Sequence, residues 1–62
     1  MATKLSEHTY GTHVFMRLRL DDGRTEEITA YVRENGWEYR TSADNRSVQT
    51  RLRIIAAFHQ LY

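Results

Sequence analysis

The 62-residue chain contains no cysteine, no proline and only three glycines. Without cysteine it can form neither a disulfide nor a cysteine-based zinc site. No hydrophobic run approaches the length of a membrane span, and residues 1–11 lack the apolar core of a signal peptide. These absences predict a soluble, cytoplasmic protein, and a chain of this length has room for one small domain.

The sequence also lacks the motifs of common catalytic and cofactor sites. It has no Gly-rich phosphate loop and no nucleophile elbow. Its three histidines, His8, His13 and His59, belong to no motif with the spacing of metal ligands or of a catalytic nucleophile and its base. A chain this small also has little room for a deep pocket. We therefore expect a protein that is not an enzyme and that uses no metal or cofactor.

A glycine turn organises the first part of the domain. Apolar and polar residues alternate on both sides of residues 21–23, Asp-Asp-Gly, which is the composition of a three-residue hairpin loop with a left-handed glycine. This loop places Met16 opposite Ile28, so that the apolar residues of both strands lie on one face. A two-residue loop would invert one strand and split the core, because a shift of one residue moves every side chain to the other face.

A second turn is indicated by Asn35-Gly36, the strongest short signal for a type I′ hairpin loop. This loop places Arg33 opposite Glu38 and Val32 opposite Tyr39. Three strands, at roughly 12–20, 24–34 and 37–42, then form an antiparallel meander.

Residues 25–35 also fit a helix. They begin with a threonine that could cap the N-terminus, have two acids in the first turn and end near a glycine. The strand interpretation is favoured because β-branched and aromatic residues dominate the middle of the segment and because the two turns agree with each other.

After the sheet, the periodicity changes to that of an amphipathic helix. No glycine interrupts residues 46–62, and Asp44 or Asn45 is a suitable N-cap. At about 100° per residue, the stripe expected to face the sheet consists of Val48, Leu52, Ile55, His59 and Tyr62.

The expected fold is therefore α+β: a three-stranded antiparallel β-meander followed by one C-terminal helix packed on the sheet (βββα). The domain comprises residues 12–62, and residues 1–11 are expected to be a flexible N-terminal arm or at most an added edge strand. In outline this arrangement resembles the sheet-reading DNA-binding domains at the N-terminus of tyrosine-type integrases and the plant AP2 domain. No sequence motif of either family is present, so the resemblance assigns no role to any residue.

The charge is unevenly distributed along the chain. The net charge is +1, but residues 1–38 carry −2 and residues 39–62 carry +3. Eight of the nine basic residues are arginine, which favours planar, bidentate contacts to phosphates or carboxylates.

The outer face of the predicted sheet interleaves arginines with aromatic rings, a composition that suits nucleic acid because guanidinium groups bind phosphates and rings stack on bases. The candidate nucleic-acid-binding residues on this face are Phe15, Arg17, Arg19, Tyr31, Arg33 and Arg40. A polar stripe of the helix adds two further candidates, Arg46 and Arg53.

The same face can also be read as an ordinary solvated surface. The register pairs Arg17 with Glu27 and Arg33 with Glu38, and such cross-strand ion pairs keep a sheet soluble. Arg19 and Arg40 have no acid directly opposite and are therefore the first candidates for ligand contact.

The apolar arc of the helix is wider than a three-stranded sheet can cover, so a second apolar stripe remains beside the one that faces the sheet. It consists of Ile54, Phe58 and Leu61. If it is exposed, it marks an interface; otherwise, sheet curvature or the N-terminal arm covers it.

Three functions remain open from the sequence. The leading hypothesis is a small intracellular module that binds nucleic acid, DNA or RNA, as a homodimer joined through the second helix stripe. The alternative is a protein–protein adaptor or inhibitor of the kind that phages and mobile elements encode, acting through the helix. A third is a structural subunit of a larger assembly. Salt dependence separates the first two, because phosphate binding weakens steeply with salt and an apolar interface does not.

Overall fold

The computed structural model describes all 62 residues. One antiparallel sheet has its four strands in sequential order, and a single C-terminal helix covers one face of it. The elements are β1 (Thr3–Tyr10), β2 (His13–Arg19), β3 (Thr25–Arg33), β4 (Gly36–Thr41) and α1 (Val48–Leu61). The α+β class is confirmed, and residues 25–33 form a strand rather than a helix.

The sheet has four strands instead of the three expected. The N-terminal segment, expected to be a flexible arm or at most an added edge strand, pairs with β2 as the edge strand β1. None of the side chains of β1 is fully buried. The sequence pattern did not reveal this strand, because no buried apolar alternation runs through it and the backbone ladder with β2 holds it in place.

The first hairpin has the predicted register. Met16 lies opposite Ile28 and Val14 lies opposite Ala30, and the Leu20 N–H donates a 2.9 Å hydrogen bond to the Arg24 carbonyl across the loop. Gly23 has a φ of +88°, as the three-residue loop requires.

The strand register of the second hairpin is shifted by two residues from the predicted register. Val32 lies opposite Trp37 rather than Tyr39, and Arg33 lies opposite Gly36 rather than Glu38. Gly36 has a φ of +115°, but Asn35 is not in the positive-φ region that a type I′ turn requires at both central residues. Because side chains alternate with a period of two, a two-residue shift leaves each residue on its predicted face.

The core lies between the sheet and the helix. It combines alternate residues of β2 and β3, one face of α1, and one residue from each of two loops. Its members are Val14, Met16, Leu18, Leu20, Ile28, Ala30, Ala43, Ile54, Ala57 and Phe58. Trp37 and Tyr39 of β4 are partly buried against it. The opposite, outer face of the sheet is not covered by any element.

The turn between β4 and α1 is held by side-chain hydrogen bonds. Asp44 accepts bonds from the Thr41 hydroxyl at 2.8 Å, from the Thr41 N–H at 3.2 Å and from Arg51 Nε at 3.0 Å. The N-cap of the helix is Ser47, whose Oγ accepts the Thr50 N–H at 3.1 Å, and not Asp44 or Asn45 as predicted.

The helix is rotated by roughly a third of a turn from the predicted orientation. Ile54 and Phe58, expected on an exposed interface stripe, are fully buried, whereas Val48 and Leu52, expected to face the sheet, are 75% and 58% exposed. Leu61 is partly buried against the core. The prediction of an interface through Ile54, Phe58 and Leu61 is therefore wrong.

Two ion pairs accompany the observed orientation of the helix. Both helix stripes are apolar, so periodicity does not distinguish them. Arg51 and Arg53 flank the buried stripe and pair with Asp44 at 3.0 Å and Asp22 at 3.6 Å, respectively. In the observed orientation both arginines reach acids beside the sheet. The helix is neither long enough nor apolar enough to span a membrane.

Candidate functional site

The outer face of the sheet presents its side chains in cross-strand rows. Two adjacent rows carry the rings of this face, and each takes one residue from every strand, β1 to β4. One row consists of His8, Phe15, Thr29 and Arg40, and the next of Tyr10, His13, Tyr31 and Glu38. We call the five rings of these rows, His8, Tyr10, His13, Phe15 and Tyr31, the aromatic patch.

Rings of the aromatic patch contact one another. His13 lies between Tyr31 and Phe15, with centroid distances of 5.0 and 6.4 Å and interplanar angles of 20° and 21°. Tyr10 meets Phe15 edge to face at 5.9 Å. Tyr10 and Phe15 are nevertheless 70% and 40% exposed, so ring surface remains available to a ligand.

The arginines of the outer face fall into two groups. Arg17 pairs with Glu27 at 3.4 Å and Arg33 pairs with Glu38 at 3.0 Å, which confirms both predicted ion pairs. The second pair forms diagonally, since Glu38 lies opposite Tyr31 in the observed register. The guanidinium of Arg33 also lies 5.4 Å from the centre of the Tyr31 ring.

Arg19 and Arg40 form no ion pair. Arg19 lies between Thr3 and Thr25, two strands away from the β4 edge. Arg40 shares a shallow depression with His13, Phe15 and Tyr31, so its charge stands beside the aromatic patch. These are the two outer-face arginines whose guanidinium groups are free for a ligand.

Arg46 and Arg53, predicted to share a polar stripe of the helix, are not brought to this site, and Arg46 lies in the turn before α1. Arg46 Nη2 donates a 2.8 Å hydrogen bond to Glu26, which is buried on the core side of the sheet. Arg53 pairs with Asp22 in the first hairpin loop. Both arginines therefore lie on the side of the sheet opposite to the aromatic patch.

A second ring cluster lies under the end of the helix and is structural. The Phe58 ring meets Trp37 and Tyr39 edge to face at 5.7 and 6.4 Å. The Tyr39 hydroxyl forms a hydrogen bond with His59 Nε2, and burial raises the pKa of that hydroxyl. These contacts join the last turns of the helix to β4.

Three members of the aromatic patch, His8, Tyr10 and His13, were not among the sequence candidates. Two of them lie on β1, in the segment that the sequence predicts to be a flexible arm or at most an added edge strand. Gly11, with a φ of +56°, provided a signal for the turn that returns β1 onto β2. The alternation of Ser6, His8 and Tyr10 on that strand was the other signal.

The chain contains no cluster of three or more His, Asp or Glu side chains placed to hold a metal ion. Comparison with protein-family models, curated proteins and solved structures finds no match.

Proposed function

We propose that this protein is a small nucleic-acid-binding module that contacts its ligand through the outer face of the sheet. The observation that carries the proposal is the combination, on one uncovered face, of the aromatic patch with two arginines that have no acid partner. Guanidinium groups bind phosphates, and exposed rings stack on bases or pack on sugars. The proposed site of action is the cell interior, where nucleic acid is found.

The ion pairs indicate which arginines of this face are most available to a phosphate. Arg17 and Arg33 already share their charge with Glu27 and Glu38, so a phosphate that binds them must compete with a carboxylate. Arg19 and Arg40 have no such competitor. They are therefore proposed to make the main phosphate contacts.

The test is a salt titration of nucleic-acid binding. Arg19→Ala and Arg40→Ala should each weaken binding and reduce the slope of log affinity against log salt by about 0.7 to 0.9 per lost phosphate contact. Arg17→Ala and Arg33→Ala should have smaller effects.

Arg53→Ala is the matched control, because Arg53 is equally charged and about half exposed but lies on the helix side. The proposal fails if the wild-type protein shows no retention on any DNA or RNA at low salt. It also fails if Arg53→Ala lowers affinity as much as Arg40→Ala.

A second candidate function, binding of a protein partner through the helix, is favoured by one observation. Val48 and Leu52, one turn apart on α1, are 75% and 58% exposed, so the outer stripe of the helix offers an apolar contact surface. Val48 and Leu52 therefore replace Ile54 and Phe58 as the proposed contact residues of an adaptor or a homodimer. Leu52→Asp should then abolish association, as measured by sedimentation at several salt concentrations, and circular dichroism should show that the variant is still folded.

A further inference from the structure

We infer that the ligand of the outer face is single-stranded nucleic acid whose unpaired bases stack on the aromatic patch. This inference rests on the proposed function and specifies its ligand. The observation that supports it is that the rings lie in two adjacent rows on β1 to β3. Arg40, which has no acid partner, lies next to them on β4.

The ring geometry suits bases with free faces. Tyr31, His13 and Phe15 are parallel to within about 20° from one ring to the next, so they already form a short stack. A planar base can extend such a stack, and every unpaired base offers a π-face regardless of its identity. In a duplex, by contrast, these faces are occupied by neighbouring base pairs.

The charge on this face is too small for a duplex site. Duplex binding draws most of its affinity from phosphate neutralisation, and strong binders make about six to ten phosphate contacts. Here Arg19 and Arg40 are the only outer-face arginines without an acid partner, and Glu27 and Glu38 add negative charge to the same surface. Stacking must therefore supply most of the affinity.

The size of the patch sets the length of the site. The rings extend over three strands spaced about 4.8 Å apart, and Arg40 stands on the fourth. Other four-stranded sheets that present rings on one face stack two or three bases. We expect the same number here, with the phosphates of that short segment near Arg40 at one side and Arg19 at one end.

The experiment compares labelled oligonucleotides in fluorescence anisotropy at low salt. The probes are a single-stranded oligo-dT of eight nucleotides, the corresponding oligo-U, and a G·C-rich DNA hairpin with a stem of the same length, which stays double-stranded at low salt. The wild-type protein should bind a single-stranded probe at least about tenfold more tightly than the duplex. For two phosphate contacts, the salt slope should be about −1.4. Comparing oligo-dT with oligo-U separates DNA from RNA preference.

Tyr10 offers a matched pair of variants that does not disturb the core, since its side chain is 70% exposed. Tyr10→Leu should weaken single-strand binding by about five- to a hundredfold, whereas Tyr10→Phe, which keeps the ring, should bind like the wild type. Circular dichroism of both variants checks that they are folded.

The outcomes distinguish this inference from the proposed function. Duplex binding as tight as single-strand binding would overturn the inference and leave the proposed function standing. Single-strand binding that Tyr10→Leu does not change would overturn the role of stacking at that ring. No binding to any probe would overturn both the inference and the proposed function.

Discussion

Glu26 and Arg46 form an ion pair of which only one partner is buried. Arg46 Nη2 lies 2.8 Å from Glu26 Oε2, and the Glu26 side chain is 3% exposed whereas that of Arg46 is 51% exposed. The other carboxylate oxygen of Glu26 accepts a 2.7 Å hydrogen bond from the Ser42 hydroxyl. Glu26 lies opposite Leu18 on the core side of the sheet, so its charge requires both partners.

Arg46→Ala should lower the free energy of unfolding by about 1–3 kcal/mol, because it leaves a buried carboxylate without its cation. Chemical denaturation measures the change. Arg53→Ala is the control and should cost less than about 1 kcal/mol, since both Arg53 and its partner Asp22 are exposed. In a Glu26→Gln background the effect of Arg46→Ala should shrink. An equal loss in both backgrounds would show that the ion pair is not its cause.

Asp44 should make the free energy of unfolding depend on pH in the acid range. Although partial burial opposes the shift, hydrogen bonds from Thr41 and the charge of Arg51 hold the pKa of the Asp44 carboxyl below its usual value. A lowered pKa in the folded state stabilises the fold fully above the unfolded pKa of about 3.9, and this stabilisation is lost as the pH falls through the folded value. Asp44→Asn should therefore be less stable than the wild type at pH 7, with a difference that narrows below about pH 4.

The control for this prediction is Glu34→Gln, at an exposed residue that forms no ion pair. Thermal unfolding from pH 2 to pH 7 should show the same acid dependence for Glu34→Gln as for the wild type. A constant stability difference between Asp44→Asn and the wild type across this range would contradict the prediction.

Gly36→Ala should destabilise the second hairpin through backbone strain alone. The φ of Gly36 is +115°, and a Cβ at this position would meet no other atom within 4 Å. The expected cost is about 1–3 kcal/mol, seen as a lower melting temperature. Glu34→Ala, in the same turn at ordinary φ, should change stability by less than about 0.5 kcal/mol. Equal melting temperatures for the two variants would refute the hairpin geometry.

The observed rotation of the helix predicts which apolar residues stabilise the fold. Ile54→Val should cost about 0.5–1.5 kcal/mol because Ile54 is fully buried. Leu52→Ala removes more atoms but should cost less, since Leu52 is 58% exposed. Denaturant titration of the two variants checks this order, and the reverse order would restore the orientation predicted from the sequence.

The candidate site was only half predictable. Alternation along a strand decides the face whatever the neighbouring strand does, so it correctly predicts the outer-face position of Phe15, Arg17, Arg19, Tyr31, Arg33 and Arg40. Arg46 and Arg53 were placed in the site because their charge is visible in the sequence. The acids that occupy them, Glu26 and Asp22, are distant along the chain and come close only in the folded protein.

The sequence by itself determined the strands β2 to β4, the faces of their side chains and the first hairpin loop. These features depend on local backbone geometry and on a period of two, which even the two-residue shift at the second hairpin preserves. Only the tertiary structure decided the position of β1 and the rotation of α1. β1 has no alternation of buried and exposed residues by which the sequence could indicate a strand. α1 has two apolar stripes, and ion pairs and ring packing determine which of them faces the sheet. Both depend on contacts between residues far apart in the chain, and so does the aromatic patch that β1 completes.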